Sequence, residues 1–402
     1  MGTALTTTPT QPLAGTRERG SSVWLGKASR PSSVFDQYRD IDRLLVSSVG
    51  RLTGGLSPTT LSAAFMDWWI HLLASPAKRL ELAHLAATAA LPWLAANANG
   101  QREIEPLPQD KRFADPRWQR MPFSTFAQAF LSTQQWWQRA TTNVPGVTPH
   151  HEAMVAFGAR QWLDMASPSN WPWTNPQVIE RTLAESGANL VRGAWHAFED
   201  ACREAAALPP ADAERFVVGR DVAATPGRVI ARTRLAEVIQ YSATTRRTFR
   251  EPVLIVPAWI MKYYVLDLSP HNSLVKALVD QGFTVFMISW KNPTRDDRDV
   301  SLSDYVHLGI DAALDKIAQL LPGQSVHALG YCLGGTLLAM TAARLARTQP
   351  QLLKTITLLA AQTDFTDPGE LALFIDEGQV AFLENLMWRR GYLDKRQMRN
   401  TF

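Results

Sequence analysis

The residues best suited to chemistry lie in the run Gly330-Tyr331-Cys332-Leu333-Gly334-Gly335. A nucleophile two residues from a glycine on each side fits a tight strand-to-helix turn, where glycines allow a backbone approach that a Cβ would block. The thiol would stand out above a sheet, with the N–H of Leu333 aimed at the reacting carbonyl. The start of a helix would favour both a thiolate and a developing oxyanion. A second N–H is expected from the loop after the strand that begins at Pro252, around Ala258 and Trp259. Cys at this position favours acyl transfer from thioesters, because a thiolate exchanges with another thiol ester without the free-energy drop of forming an oxygen ester. A buried Cys is more often an inert small hydrophobe. The apolar strand before Cys332, the helix after it and the doubled glycine select the nucleophilic reading. Cys202, on a helical pattern among alanines, is expected to be a packing residue.

The elements that must hold this turn alternate in type. Pro252 to Pro257 reads as a short apolar strand, Pro270 to Gln281 as a helix stopped by Gly282, and Thr284 to Trp290 as a strand. Ser303 to Leu321 follows as a helix, Ser325 to Gly330 as a buried strand, Gly335 to Thr348 as a helix and Lys354 to Ala361 as a strand. Strands joined by helical crossovers imply a parallel sheet covered on both faces. Together with the nucleophile turn this is an α/β class chain with an α/β-hydrolase core. Ahead of it, Arg228 to Arg232 and Ala236 to Tyr241 alternate as antiparallel strands do. Still earlier the apolar period is helical, in Thr60 to Leu73, Ala77 to Leu91, Phe123 to Ala140, His150 to Met165 and Pro176 to Ala207. The expected organisation is a disordered lead-in over 1–34, a short helical accessory region over 35–98, a helical domain over 105–215 and the α/β core over 216–402. A polar stretch from Asn97 to Arg112 links the two helical parts. Eleven of the fourteen tryptophans precede residue 200, including the pairs Trp68/Trp69 and Trp136/Trp137. Adjacent tryptophans cannot share one helix face, so one of each pair is expected at a surface or interface.

Composition excludes several classes. Hydrophobic residues make up 46% of the chain and charged residues 19%, with a net charge of +4 and no long basic run, which argues against nucleic-acid binding. Two cysteines cannot build a disulfide framework and suit a reducing compartment. Leu82 to Ala96, the most apolar stretch, is interrupted by His84 and Pro92 and falls short of the ~20 residues that span a bilayer, so no transmembrane segment is expected. H-E-x-x-H, Cys/His clusters and phosphate-loop patterns are missing, so neither a metal nor a resident cofactor is expected.

Longer runs carry a resemblance. R-F-A-D-P-R-W at Arg112 to Trp118, N-W-P-W-T-N-P at Asn170 to Pro176, L-V-R-G at Leu190 to Gly193 and T-P-G-R-V at Thr225 to Val229 are among them. So are E-P-V-L-I-V-P-A-W-I-M-K-Y-Y-V-L-D-L at Glu251 to Leu268, N-S-L-V at Asn272 to Val275, G-F-T-V-F-M-I-S-W-K-N-P at Gly282 to Pro293 and D-E-G at Asp376 to Gly378. With the Cys332 box, these resemble class I polyhydroxyalkanoate synthases. The resemblance implies acyl transfer from (R)-3-hydroxyacyl-CoA to a growing polyester, with Cys332 as the covalent carrier, coenzyme A as leaving group and no bound cofactor. It also implies a homodimer in the cytoplasm, at the surface of polyester granules. The family places an Asp and a His well downstream of its Cys. Here all eight histidines precede Cys332, and Asp364, Asp367, Asp376 and Asp394 do not match the family's acid. His327 is expected to pack within the sheet layers, and His307 and His271 to be structural or solvent-facing. The expectation is therefore an incomplete α/β-hydrolase fold, truncated after the start of the cap region, with an exposed sheet edge. Two other functions stay open: a non-catalytic relative acting in granule association or dimerisation, and a thioesterase or depolymerase of the same fold.

Overall fold

The computed structural model describes residues 34–53, 55–96, 104–388 and 390–393. The expected lead-in (save Val34), residues 97–103 of the linker, and Asp394 with the rest of 394–402 lie outside the described residues. The chain divides into two compact units, Met1–Leu45 and Val46–Phe402. Helix α1 (Val34–Leu52) begins in the first. The second holds everything that follows.

The helical region comprises α2 (Pro58–Ala74), α3 (Pro76–Ala96), α4 (Phe123–Thr141), α5 (Pro149–Ala166), α6 (Pro176–Ala184) and α7 (Ala188–Ala205). Four of these begin with proline, whose fixed φ suits the first turn and whose missing N–H would have found no intrahelical acceptor. The tryptophan pairs explain the packing. Trp68 is buried against Leu72, Leu82, Ala140 and Val144 and donates its indole N–H to Ala140 O at 2.9 Å, while its neighbour Trp69 is exposed. Trp136 and Trp137 are both half-buried against that cluster, and Trp136 donates to Leu82 O at 3.0 Å. Pro176 to Ala207 is not one helix. Ser186 and Gly187 take positive φ values of 51° and 85°, which ends α6 and reorients the chain before α7.

Eight strands follow: β1 (Gly227–Arg232), β2 (Ala236–Tyr241), β3 (Val253–Val256), β4 (Asp267–Ser269), β5 (Asn272–Ser273), β6 (Val285–Trp290), β7 (Val326–Tyr331) and β8 (Leu353–Leu359). Between them run α8 (Leu274–Asp280), α9 (Leu302–Tyr305), a turn of π-helix (Val306–Asp311), α10 (Ala312–Leu320) and α11 (Leu333–Thr348), with α12 (Glu377–Met387) after β8. The main sheet has the order β1-β2-β6-β3-β7-β8; β1, β2 and β6 pair antiparallel and β6, β3, β7 and β8 parallel. β3 is buried along its whole length, as a central parallel strand must be. Leu254, Val256, Phe286, Ile288 and Ala328 face α10 and α11, and Val253, Ile255, Val285 and Met287 face α8.

Two expectations need correction here. The helix expected from Pro270 starts only at Leu274, because residues 267–273 form the β4–β5 ribbon around buried Asp267. Ser273 donates to Asp267 at 2.6 Å and accepts from Lys276 N–H, so it serves the ribbon and caps α8 at once. His327 is half-buried on β7, its Nδ1 2.7 Å from Thr355 Oγ1, beside a β8 that is largely exposed, and so is not enclosed between layers.

α2 and α12 are joined head to head. Ser57 caps α2 and Asp376 caps α12. Each helix also lends the side chain of its third residue to the other's cap: Thr60 donates to Asp376 Oδ1 at 3.2 Å, and Gln379 Oε1 accepts from Ser57 N–H at 2.8 Å. Gln379 further donates to Gly55 O at 2.8 Å and is 5% exposed. Replacing it by Leu would strand Ser57 N–H and Gly55 C=O. Gln379→Leu should therefore cost about 1 to 3 kcal/mol, read as a lower urea midpoint at unchanged slope; an unchanged midpoint would show the joint carries no stability.

Candidate active site

β7 delivers the chain into the glycine-flanked turn, and Cys332 sits at its apex with φ 53° and ψ −129°. A side chain at such a φ costs of order 1 to 3 kcal/mol and persists only where the surroundings over-determine it. They do so here. Cys332 N–H donates to Leu359 O at 2.9 Å, extending the β7–β8 ladder by one residue. Cys332 O accepts from Gly335 N–H at 2.8 Å and Thr336 N–H at 3.2 Å, so it starts α11. Thr336 Oγ1 donates to Gln362 O at 2.8 Å, which fastens the helix to the segment leaving β8.

Each glycine has a steric reason. A Cβ on Gly330 would overlap Gly335 Cα and lie 2.9 Å from Gly335 N. One on Gly334 would overlap Val256 O and lie 2.5 Å from Pro257 O. One on Gly335 would lie 2.5 Å from Ala361 Cβ. The Gly334 contact matters most, since it brings the first turn of α11 against the end of β3 and the loop carrying Ala258 and Trp259. The residues expected at the site are thus gathered in one place: Gly330, Cys332, Leu333 and Gly334 on the turn, Ala258 and Trp259 on the loop it touches. Leu333 opens α11, so its N–H is one of those that no intrahelical carbonyl can take. Ala258 is fully buried; Trp259 is half-buried, its ring 5.1 Å from Tyr305. The Cys332 thiol is free and half-buried.

Cys202 departs from expectation: it is exposed on α7, a helix without a buried residue. His307 pairs with Asp311 at 2.9 Å, and His271 is exposed. Asp364 closes a turn onto Thr366, whose N–H and hydroxyl hold its carboxyl below the usual range; Asp367 accepts from Gly369 N–H, and Asp376 caps α12. Among the described residues, no group of three His, Cys, Asp or Glu side chains could hold a metal ion.

Trp290 escaped sequence reasoning as a site residue. It ends β6, and its indole N–H donates to Pro257 O at 2.7 Å from a nearly buried position. The available signal was Gly309 inside an apolar helical pattern. A Cβ there would overlap the Trp290 ring, and the helix widens into a π turn around it.

Comparison with known proteins agrees with this architecture. Residues 109–278 match the poly-beta-hydroxybutyrate polymerase N-terminus, residues 36–78 a second N-terminal segment of poly-beta-hydroxybutyrate polymerase, and residues 251–387 the alpha/beta hydrolase fold. A poly(3-hydroxyalkanoate) polymerase of Methylorubrum extorquens is 42% identical over 302 residues, covering 74% of this chain and 50% of that protein. The polymerase subunit of Cupriavidus necator is 36% identical over 296 residues, covering 72% and 49%. The chain spans about half the length of the curated relatives it matches. Among solved structures, a sugar hydrolase from Lactococcus lactis is 23% identical with a TM-score of 0.27, covering 39% of this chain and 63% of that one. That likeness is too slight to bear on function.

The strained apex gives a signature that separates a held nucleophile from an ordinary buried thiol. Cys332→Gly should stabilise the chain by about 1 kcal/mol, because glycine takes positive φ without penalty. Gly334→Ala should destabilise it by about 1 to 3 kcal/mol by driving a methyl into two carbonyls. Urea denaturation of both variants decides, and a destabilised Cys332→Gly would mean that the apex stores no strain.

Proposed function

Since this chain is a homologue of the poly(3-hydroxyalkanoate) polymerases with an α/β-hydrolase core, we propose that it takes (R)-3-hydroxyacyl groups from coenzyme A thioesters onto Cys332. The observation that carries the proposal is the thiol held at positive φ on the glycine turn, beside two sets of backbone N–H groups. In this reading the Cys332 thiolate attacks the thioester carbonyl. Leu333 N–H and an N–H of Ala258 or Trp259 receive the oxyanion, and its collapse expels the coenzyme A thiol. No cofactor takes part. The hydroxyl of one bound unit then attacks the thioester of another and lengthens a polyester.

The two halves of that cycle ask for different groups. Loading needs a thiolate and oxyanion donors, all present at the turn. Extension also needs a base for the attacking hydroxyl, and the core histidines are engaged elsewhere or exposed: His307 with Asp311, His327 with Thr355, His271 in solvent. The described residues thus support loading more directly than extension.

A second reading, action at a polyester granule or in a homodimer without chemistry, is favoured by one feature. Trp162, Trp173, Trp195 and Phe198 are between 61% and 72% exposed across α5 to α7 and the segment between them. Among the described residues no helix is long and apolar enough to cross a membrane, so such a surface would meet polymer or protein from the cytoplasmic side.

Incubation with (R)-3-hydroxybutyryl-CoA tests the reading. Intact-mass analysis should show one hydroxybutyryl group on the protein and an equal amount of free coenzyme A, both lost in Cys332→Ala and both kept in Cys202→Ser. Free hydroxyacid without acyl-protein would instead indicate a thioesterase. An unmodified thiol with intact thioester would leave the non-catalytic reading.

A further inference from the structure

The geometry points to Trp290 as a positioning residue for the oxyanion site: its indole N–H orients the backbone amide of the loop that faces the nucleophile turn. This inference rests on the acyl-transfer reading of Cys332 and adds a residue to it. The carbonyl of Pro257 and the N–H of Ala258 belong to one planar trans peptide, in which C=O and N–H point in opposite directions. Trp290 Nε1–H donates to Pro257 O at 2.7 Å, so the bond that fixes this carbonyl also fixes where Ala258 N–H points. The next peptide is held in the same way, since Ala258 O accepts from Met261 N–H at 3.3 Å and thereby sets Trp259 N–H. Pro257 O also lies where the first turn of α11 makes its closest approach, at Gly334. One carbonyl therefore registers the loop against both the nucleophile helix and β6.

Trp290 is itself held tightly enough to act as a reference. It is 9% exposed, its ring lies 5.3 Å from Tyr305, and it is wedged over Gly309, where a single methyl would collide with it. The π turn at Val306–Asp311 is the local distortion of the crossover helix that makes room for the ring. A buried indole needs some acceptor. Here the acceptor is the carbonyl whose partner N–H faces the site, rather than one of the many carbonyls of the helices nearby.

The test compares two reactions of the same thiol in the full chain carrying Cys202→Ser. With 4-nitrophenyl acetate the thiolate adds to the carbonyl carbon and an oxyanion forms. Its collapse breaks the ester C–O bond, releasing 4-nitrophenolate and leaving acetyl on sulfur, while the thiol proton passes to solvent. With iodoacetamide, sulfur displaces iodide at a saturated carbon and no oxyanion arises. Trp290→Phe keeps a ring and removes the donor. Substitution of benzothienylalanine at position 290 removes only the N–H from the same shape, which covers the case in which Trp290→Phe does not fold. Both should slow acetylation about tenfold or more while changing alkylation by less than about twofold. A purely structural role would move both rates together, and no role would move neither; either result overturns the inference. So would a parent chain whose acetylation, relative to alkylation, is no faster than that of free cysteine. Acetylation sensitive to Trp290 in a chain that leaves hydroxybutyryl-CoA untouched would refute the coenzyme A reading alone.

Discussion

The contact between Gly334 and the carbonyls of Val256 and Pro257 is the constraint on which the rest of the core depends. It brings the start of α11 to the end of β3 at a distance no side chain permits. The turn joining β7 to α11 must then be short and sharp. Its apex residue is forced to positive φ, and Cys332 occupies that apex. Gly330 and Gly335 follow from the same closeness, since the two ends of the turn nearly touch each other. The strained nucleophile is thus a consequence of sheet and helix geometry, with the strain held in place by the two hydrogen bonds to Cys332 O and by the one from Cys332 N–H to β8.

That dependence explains which parts were legible in the sequence. The parallel strands could be read because buried strands are short apolar runs bounded by Gly and Pro, as Pro252 to Pro257 shows. The turn was legible because glycines at fixed offsets leave a mark that ordinary packing does not. What was not legible has a common physical character: it depends on contacts distant in sequence. Ser273 looks like any residue inside a helical pattern until Asp267 draws it into a ribbon. Ser186 takes a conformation that its type does not announce. Cys202 among alanines fits a packed helix face, yet nothing among the described residues covers that face. Trp290 reads as the apolar end of a strand, and its hydrogen bond to Pro257 is a property of the assembled sheet.

The helical region bears on the core through a segment rather than through the site itself. Met154 and Phe157 of α5 meet Leu373 and Phe374, and the reciprocal caps join α2 to α12. Both contacts grip residues between β8 and the end of α12, the stretch that starts at Ala361 against Gly335 and at Gln362 against Thr336. A continuous set of packed and hydrogen-bonded groups therefore runs from the residues of α2 to the glycine turn. The approach of Thr60 is also why Gly378 has no side chain, since a Cβ there would lie 2.8 Å from the Thr60 hydroxyl.

The nature of the nucleophile sharpens what this arrangement can do. A thiol needs less help from a base than a hydroxyl does, because a few per cent is already thiolate near neutral pH and a helix N-terminus increases that share. Oxyanion donors then become the larger requirement for the first bond-forming step. Leu333 supplies one through the start of α11, and the loop at Ala258 and Trp259 can supply another only if its peptides hold still. Two carbonyls of that loop are fixed by hydrogen bonds and one of them by Gly334 as well, so the loop enters the reaction already oriented. Preorganised backbone of this kind needs no rearrangement as charge develops, which is where electrostatic stabilisation is most effective.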